Sequence, residues 1–200
     1  MKITKLSPQQ KTADRYNLDV DGEFYCGLDE VLITELNLYV DKVINADDLK
    51  KIKEFDDYQK CLNKAFSLLS IRMNSESELK KKLKKRFEYK TVNKVIIRLK
   101  ELNYINDQTF VKNWIENRGS NRGRFLLKKE LMQKGIDKSL VDKYFEQIDP
   151  DLELAHAREL VAKKHWPEMT EDEEYQKIGG FLSRRGFDYE TIRRVNNENK

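Results

Sequence analysis

Cysteine is scarce: the chain holds only Cys26 and Cys61, far apart and without Cys-x-x-Cys spacing. That excludes a disulfide framework or a cysteine-built zinc site, and reduced thiols in a cytoplasmic chain are the expectation. Histidine is equally scarce. Neither His156 nor His165 has Cys, Asp or Glu partners at metal-ligand spacing, and neither accompanies a nucleophile turn. No catalytic constellation is visible, so a binding protein without metal or cofactor is expected rather than an enzyme. With 3 prolines and 8 glycines in 200 residues, breakers are too few for a loop-rich sandwich, and long helices are favoured. No apolar run approaches the ~18 residues of a membrane span. The start, Met1-Lys2-Ile3-Thr4-Lys5, lacks the apolar core of a secretory signal, and no membrane association is expected.

Charge is what the chain has in abundance. Charged residues make up 37% and apolar ones 38%, a balance that suits slender amphipathic helices better than one thick globule. Aromatic and aliphatic residues recur throughout, which argues against disorder. The net charge of +4 conceals segregation: residues 1–57 carry 8 basic and 13 acidic side chains, residues 58–100 carry 13 and 3, and residues 101–200 carry 18 and 19. The central segment is therefore suited to a polyanion or an acidic protein surface.

The first segment reads as β. Tyr16–Val20 alternates, Asp21-Gly22 tolerates the positive φ angles of a tight turn, and Glu23–Leu28 returns, predicting a hairpin with Ile3–Leu6 as a third strand. Short helices are expected over Asp29–Asn37 and Asp47–Phe55, with the acidic pairs Asp47-Asp48 and Asp56-Asp57 at helix starts. Beyond residue 58 apolar stripes recur at helical spacing in sets of three, with Ser75 and Glu78 in capping-box spacing. Leu131, Gly135 and Val141 are spaced as Leu182, Gly186 and Ile192 are, while the first set has Phe87 where a glycine would fall. Each glycine suits a helix ending in a left-handed turn. The expected fold class is mainly α: three tandem three-helix repeats forming an elongated curved body, preceded by a small β-hairpin with helices. The expected divisions are 1–57, 58–106, 107–149 and 150–200.

Three basic clusters are candidate contact sites. Lys80, Lys81, Lys82, Lys84, Lys85 and Arg86 flank Leu83 on a helix, where the bland alternative is a solvated face. Arg118, Arg122 and Arg124 sit in a glycine-containing loop able to hold phosphates or carboxylates, though without the Gly-Lys-Ser/Thr ending of a nucleotide loop. Arg184 and Arg185 precede Gly186 and read first as structural, with Glu173 or Glu174 as partners. Trp114 reads as core, Trp166 as core or contact, and Tyr104 and Phe110 as packing residues.

Four segments, in order, resemble the RecX family. Leu68-Leu69, Arg72, Ser75-Glu76, Glu78-Leu79 and Lys82-Leu83 follow one family signature, and Leu99 through Tyr104-Ile105 to Phe110 resembles the junction after it. Leu131 to Gly135-Ile136, and Phe181-Leu182 with Arg184-Arg185-Gly186-Phe187, are similar to two more. Asn103 replaces a usual glycine but can also take a left-handed backbone. Gly123-Arg124 replaces a Gly-Pro pair, which predicts a less rigid helix start. The resemblance implies a monomeric regulator that binds the RecA–single-stranded DNA filament and modulates its ATPase, strand exchange and recombination, with inhibition the expected direction, within DNA repair and the SOS response. It implies RecA and single-stranded, and to a lesser degree double-stranded, DNA as partners. The three basic clusters are then the candidate RecA and DNA contacts. The alternative is an independent DNA-binding protein built from helix–turn–helix-like repeats.

Overall fold

The computed structural model describes residues 1–9 and 12–198. Strands β1 (Ile3–Gln9), β2 (Thr12–Val20) and β3 (Glu23–Asp29) form an antiparallel sheet in that order. Asp21 and Gly22 both take positive φ, so the turn between β2 and β3 forms as Asp-Gly predicts. Ten α-helices follow among the described residues: α1 (Glu30–Glu35), α2 (Ala46–Leu69), α3 (Glu76–Leu83), α4 (Tyr89–Glu101), α5 (Asp107–Arg118), α6 (Arg124–Gln133), α7 (Lys138–Glu146), α8 (Pro150–Ala162), α9 (Glu171–Arg184) and α10 (Tyr189–Glu198). None is long and apolar enough to cross a membrane.

The chain divides into two compact units: Met1–Arg72 with Lys80–Glu101, and Met73–Leu79 with the chain from Leu102 onward. In the first, Ile3, Leu18 and Leu28 from the sheet pack with Leu32, Leu49 and Ile52 from the helices. Farther along α2, buried Cys61 and Ala65 face α4, whose Val92, Val95, Ile96 and Leu99 are also buried.

The two helices expected on either side of residue 57 are one 24-residue helix, capped at its start by the Asn45 side chain. Asp56 and Asp57 therefore lie mid-helix, and the division expected at residue 57 falls inside α2. No glycine or proline interrupts this stretch, and a tertiary pairing compensates the buried acid. The Asp56 carboxylate, 3% exposed, holds Arg15 of β2 at 2.7 Å and Lys60 at 2.5 Å. Replacing Asp56 with alanine would leave the Arg15 guanidinium, whose Nε already lacks a partner, uncompensated. A loss of about 3 kcal/mol in urea unfolding is expected. Lys60→Ala, which removes a half-exposed partner, should cost under about 1 kcal/mol. Both cysteines are buried free thiols. Burial, and secondarily Asp56, pushes Cys26 up to about 12, and burial raises Cys61 to about 11.

In the second unit α5–α7 enclose Phe110, Val111, Leu127, Leu131 and Phe145. Helices α8–α10 enclose Leu154, Ile178, Phe181, Leu182 and Val195. Gly135 and Gly186 take the left-handed turns expected of them, at φ +75° and +82°, and Asn103 does the same at +57°.

Two junctions in this unit share one construction. At the start of α3 the Ser75 hydroxyl donates to the Lys134 carbonyl at 2.5 Å, beside Gly135, and the Glu76 amide donates to Asp107 of α5 at 2.9 Å. At the start of α6 the Gly123 amide donates to the Arg185 carbonyl at 2.9 Å, beside Gly186, and the Arg124 amide donates to Glu153 of α8 at 2.8 Å. In each, the first amide of one helix is capped by a carboxylate from the first turn of another, against a glycine turn. Gly123 is thus not a loosened helix start, because the Gly186 carbonyl also accepts from Phe125 at 3.0 Å. The start of α9 is different: Thr170 and Glu173 form a capping box within the helix itself.

Candidate functional site

The basic stretch from Lys80 to Arg86 runs through the end of α3 and the turn before α4. Lys81, Lys84, Lys85 and Arg86 are exposed, while Lys80 and Lys82 are half-buried because their positions flank the buried Leu79 and Leu83. Lys84 lies 4.5 Å from the ring of Tyr89, the first residue of α4, and that ring is 64% exposed. The Tyr89 hydroxyl is held below its ordinary pKa by Asn93 and then by Lys84. Lys90 and Lys94 follow on the same helix, with Glu54 of α2 loosely paired to Lys90 at 3.9 Å. An exposed aromatic ring within a field of cations can bind phosphates and stack a base.

Tyr89 was missed among the sequence candidates, although a signal for it exists. Phe87-Glu88-Tyr89-Lys90-Thr91-Val92 and Phe187-Asp188-Tyr189-Glu190-Thr191-Ile192 share Phe, an acid, Tyr, Thr and a β-branched residue in register, and differ in charge only at Lys90 against Glu190. Phe187 is buried and Phe87 half-buried, while both Tyr side chains are exposed, Tyr189 at 76%.

The other two clusters lie in the second unit, where Arg118, Arg122, Arg124 and Arg185 are engaged internally. Arg118 sits over the Trp114 ring at 4.0 Å, with Lys134 at 4.4 Å. Trp114 is half-buried rather than core, because its Nε1 must reach Glu130, to which it donates at 2.9 Å. Arg122 pairs with the same Glu130, and Arg124 Nε donates to Glu153 at 2.6 Å. Arg122 and Arg124 line a cleft of about 630 Å³ between α5, α6, α7 and α8. Arg185 lies over Phe181 at 3.7 Å instead of pairing with Glu173, which is spent in its capping box, and Arg184 is exposed. Trp166 packs edge-on against Phe181 at 5.4 Å. Phe110 is buried as expected, but Tyr104 is 57% exposed, since the turn at Asn103 carries it off the core.

Family models cover this architecture in order. The "Regulatory protein RecX N-terminal domain" matches residues 1–45, and the first, second and third RecX three-helix domains match residues 61–99, 106–144 and 151–195. The regulatory protein RecX of Clostridioides difficile is 35% identical over 200 residues, covering 98% of this chain and 94% of that one. The chain belongs to the RecX family. The RecX of Clostridium tetani is 31% identical over 202 residues, with the same two coverages. A RecX crystal structure superimposes with a TM-score of 0.73 at 24% identity, covering 98% of both chains. That of Lactobacillus salivarius RecX does so at 0.62 and 22%, covering 72% of this chain and 96% of that one. The fold is therefore the RecX fold: a small antiparallel sheet followed by three three-helix domains. The family is one of regulatory proteins.

Proposed function

We propose that this RecX binds the RecA–single-stranded DNA filament and lowers its ATPase and strand-exchange activity. What supports the reading most is the match to regulatory RecX proteins over nearly the full chain. The exposed cations at Lys81, Lys84, Lys85 and Arg86 add the physical means, because a filament presents phosphates and protein acid groups in a regular array. Three linked domains, each with a modest contact, gain affinity through effective concentration once the first is seated. Bridging neighbouring RecA subunits would then oppose the rearrangements that accompany ATP turnover. RecA's DNA-dependent ATPase is expected to fall at substoichiometric amounts of the protein, and to stay suppressed when single-stranded DNA is added in several-fold excess.

A second reading, an independent DNA-binding protein, is favoured by one observation: the exposed Tyr89 ring beside Lys84. It requires that excess DNA relieve the suppression, and that naked DNA be bound with a steep salt dependence. The same titration therefore separates the two.

A further inference from the structure

Several exposed lysines of the chain are tied to a carboxylate one helical turn away, as Lys51 is to Asp48, Lys112 to Glu116 and Lys163 to Glu159. The stretch that ends α3 is built otherwise. Lys81, Lys84, Lys85 and Arg86 are exposed, and no carboxylate among the described residues pairs with any of them. Glu88, the only acid between Lys80 and Tyr89, is exposed and pairs with none of the four. The excess positive charge is therefore real, and it attracts a small polyvalent anion as well as a polymer.

This stretch combines two chemistries. Ammonium and guanidinium groups hold phosphate oxygens. A primary amine, unlike a guanidinium, is also a nucleophile in its neutral form. Lys84 is engaged with the Tyr89 ring, 4.5 Å from its centroid, and the ring attracts the ammonium rather than the amine. Lys85 has neither a ring nor a carboxylate partner among the described residues, and it stands between two exposed cations, Lys84 and Arg86.

We propose that Lys85 is an acylation site, modified by a small acyl phosphate whose phosphoryl group rests on Lys81, Lys84 and Arg86. The neutral amine attacks the carbonyl carbon and a C–N bond forms. The C–O bond to the phosphoryl group breaks, phosphate leaves with the electron pair, and the amine's surplus proton passes to water. The product amide carries no charge, so a cation is lost from the face assigned to the filament. As regulation, this rests on the filament-binding reading; the acylation itself does not.

The probe is acetyl phosphate, added to the full chain in mildly alkaline buffer without RecA or DNA, with acetylation of each lysine followed by mass spectrometry. Lys85 is expected to react about tenfold faster than the exposed Lys53, Lys129 and Lys143. Acetic anhydride, which carries no phosphate, should show no such preference. Lys81→Gln combined with Arg86→Gln should bring Lys85 down to the rate of the three reference lysines. The proposal is overturned if Lys85 reacts no faster than they do, if the anhydride reproduces the preference, or if the double variant leaves the rate unchanged. Lys85→Gln, a neutral mimic of the acetylated side chain, should weaken filament binding about twofold at low salt, while Lys85→Arg keeps it. Equal binding by those two variants removes the regulatory role. A parent chain that does not bind the filament at all overturns the filament reading instead, and leaves selective acylation of Lys85 standing.

Discussion

Reversing the charge at Lys81, Lys85 and Arg86 together is expected to weaken binding to RecA-coated single-stranded DNA by about 100-fold at low salt. All three side chains are exposed, Lys81 on α3 and Lys85 and Arg86 on the turn that leads into α4. Each reversal removes an attraction and adds a repulsion, worth about 1 kcal/mol together for a solvent-exposed charge. Three of them come to about 3 kcal/mol, which is the stated factor. The loss should shrink steeply as salt rises, because screening shortens the reach of every such charge. Thermal stability should hold, since none of the three is buried. Tyr89→Ala gives the complementary result: weaker binding to single-stranded DNA with an unchanged salt slope, because a ring contributes stacking and no charge. Equilibrium anisotropy across a salt series, on the filament for the triple variant and on naked single-stranded DNA for Tyr89→Ala, checks both. An unaltered affinity in the triple variant would remove this face from the contact.

Gly186→Ala should lower stability by about 3 kcal/mol and the melting temperature by about 10 °C. Two independent costs meet there. The residue sits at φ +82°, where an L side chain costs about 1 kcal/mol. A Cβ would also fall 2.4 Å from the Leu126 Cβ and 2.5 Å from the Leu126 amide nitrogen. Backbone cannot swing aside as a lysine tip can, so the α9–α10 turn must retreat from α6 at a cost of about 2 kcal/mol. That retreat loosens the amide–carbonyl bonds from Gly123 to Arg185 and from Phe125 to Gly186. Gly22→Ala is the control: φ is +90°, but nothing lies within 4 Å of its Cβ, so only the conformational cost of about 1 kcal/mol remains. Equal melting temperatures for the two variants would mean that the close approach carries no weight.

Features that depend on local conformation were legible in the sequence. Asp21-Gly22 predicted the hairpin turn, Asn103 the left-handed junction, and Gly135 and Gly186 the ends of α6 and α9, because each is fixed by the residue's own conformational range. Features that depend on distant pairing were not. Asp56 looked like the start of a helix because the Arg15 that neutralises it lies on a strand 41 positions earlier. Gly123 looked like a flexible start because the backbone it must admit, at Gly186 and Phe187, belongs to another helical set. The candidate arginines could be named from the sequence, but the carboxylates that hold them, half-buried Glu130 and buried Glu153, carry no local mark. Tyr89 was overlooked because an aromatic ring at helical spacing usually packs inward, and only its repetition at Tyr189 distinguishes it.

The capping of Arg124 by Glu153 has a dynamic consequence. The amide at the head of α6 is held by an acceptor that α8 supplies, and the N-cap Gly123 has no side chain to replace it. Its hydrogen exchange with solvent is therefore gated by separation of α6 from α8, not by fraying of α6 alone. The amide of Glu76 likewise reports on α5, whereas Glu173, capped by Thr170, reports only on its own helix. Within this unit, two amides thus record whether the head of α3 leaves α5 and α6 leaves α8 together or one at a time.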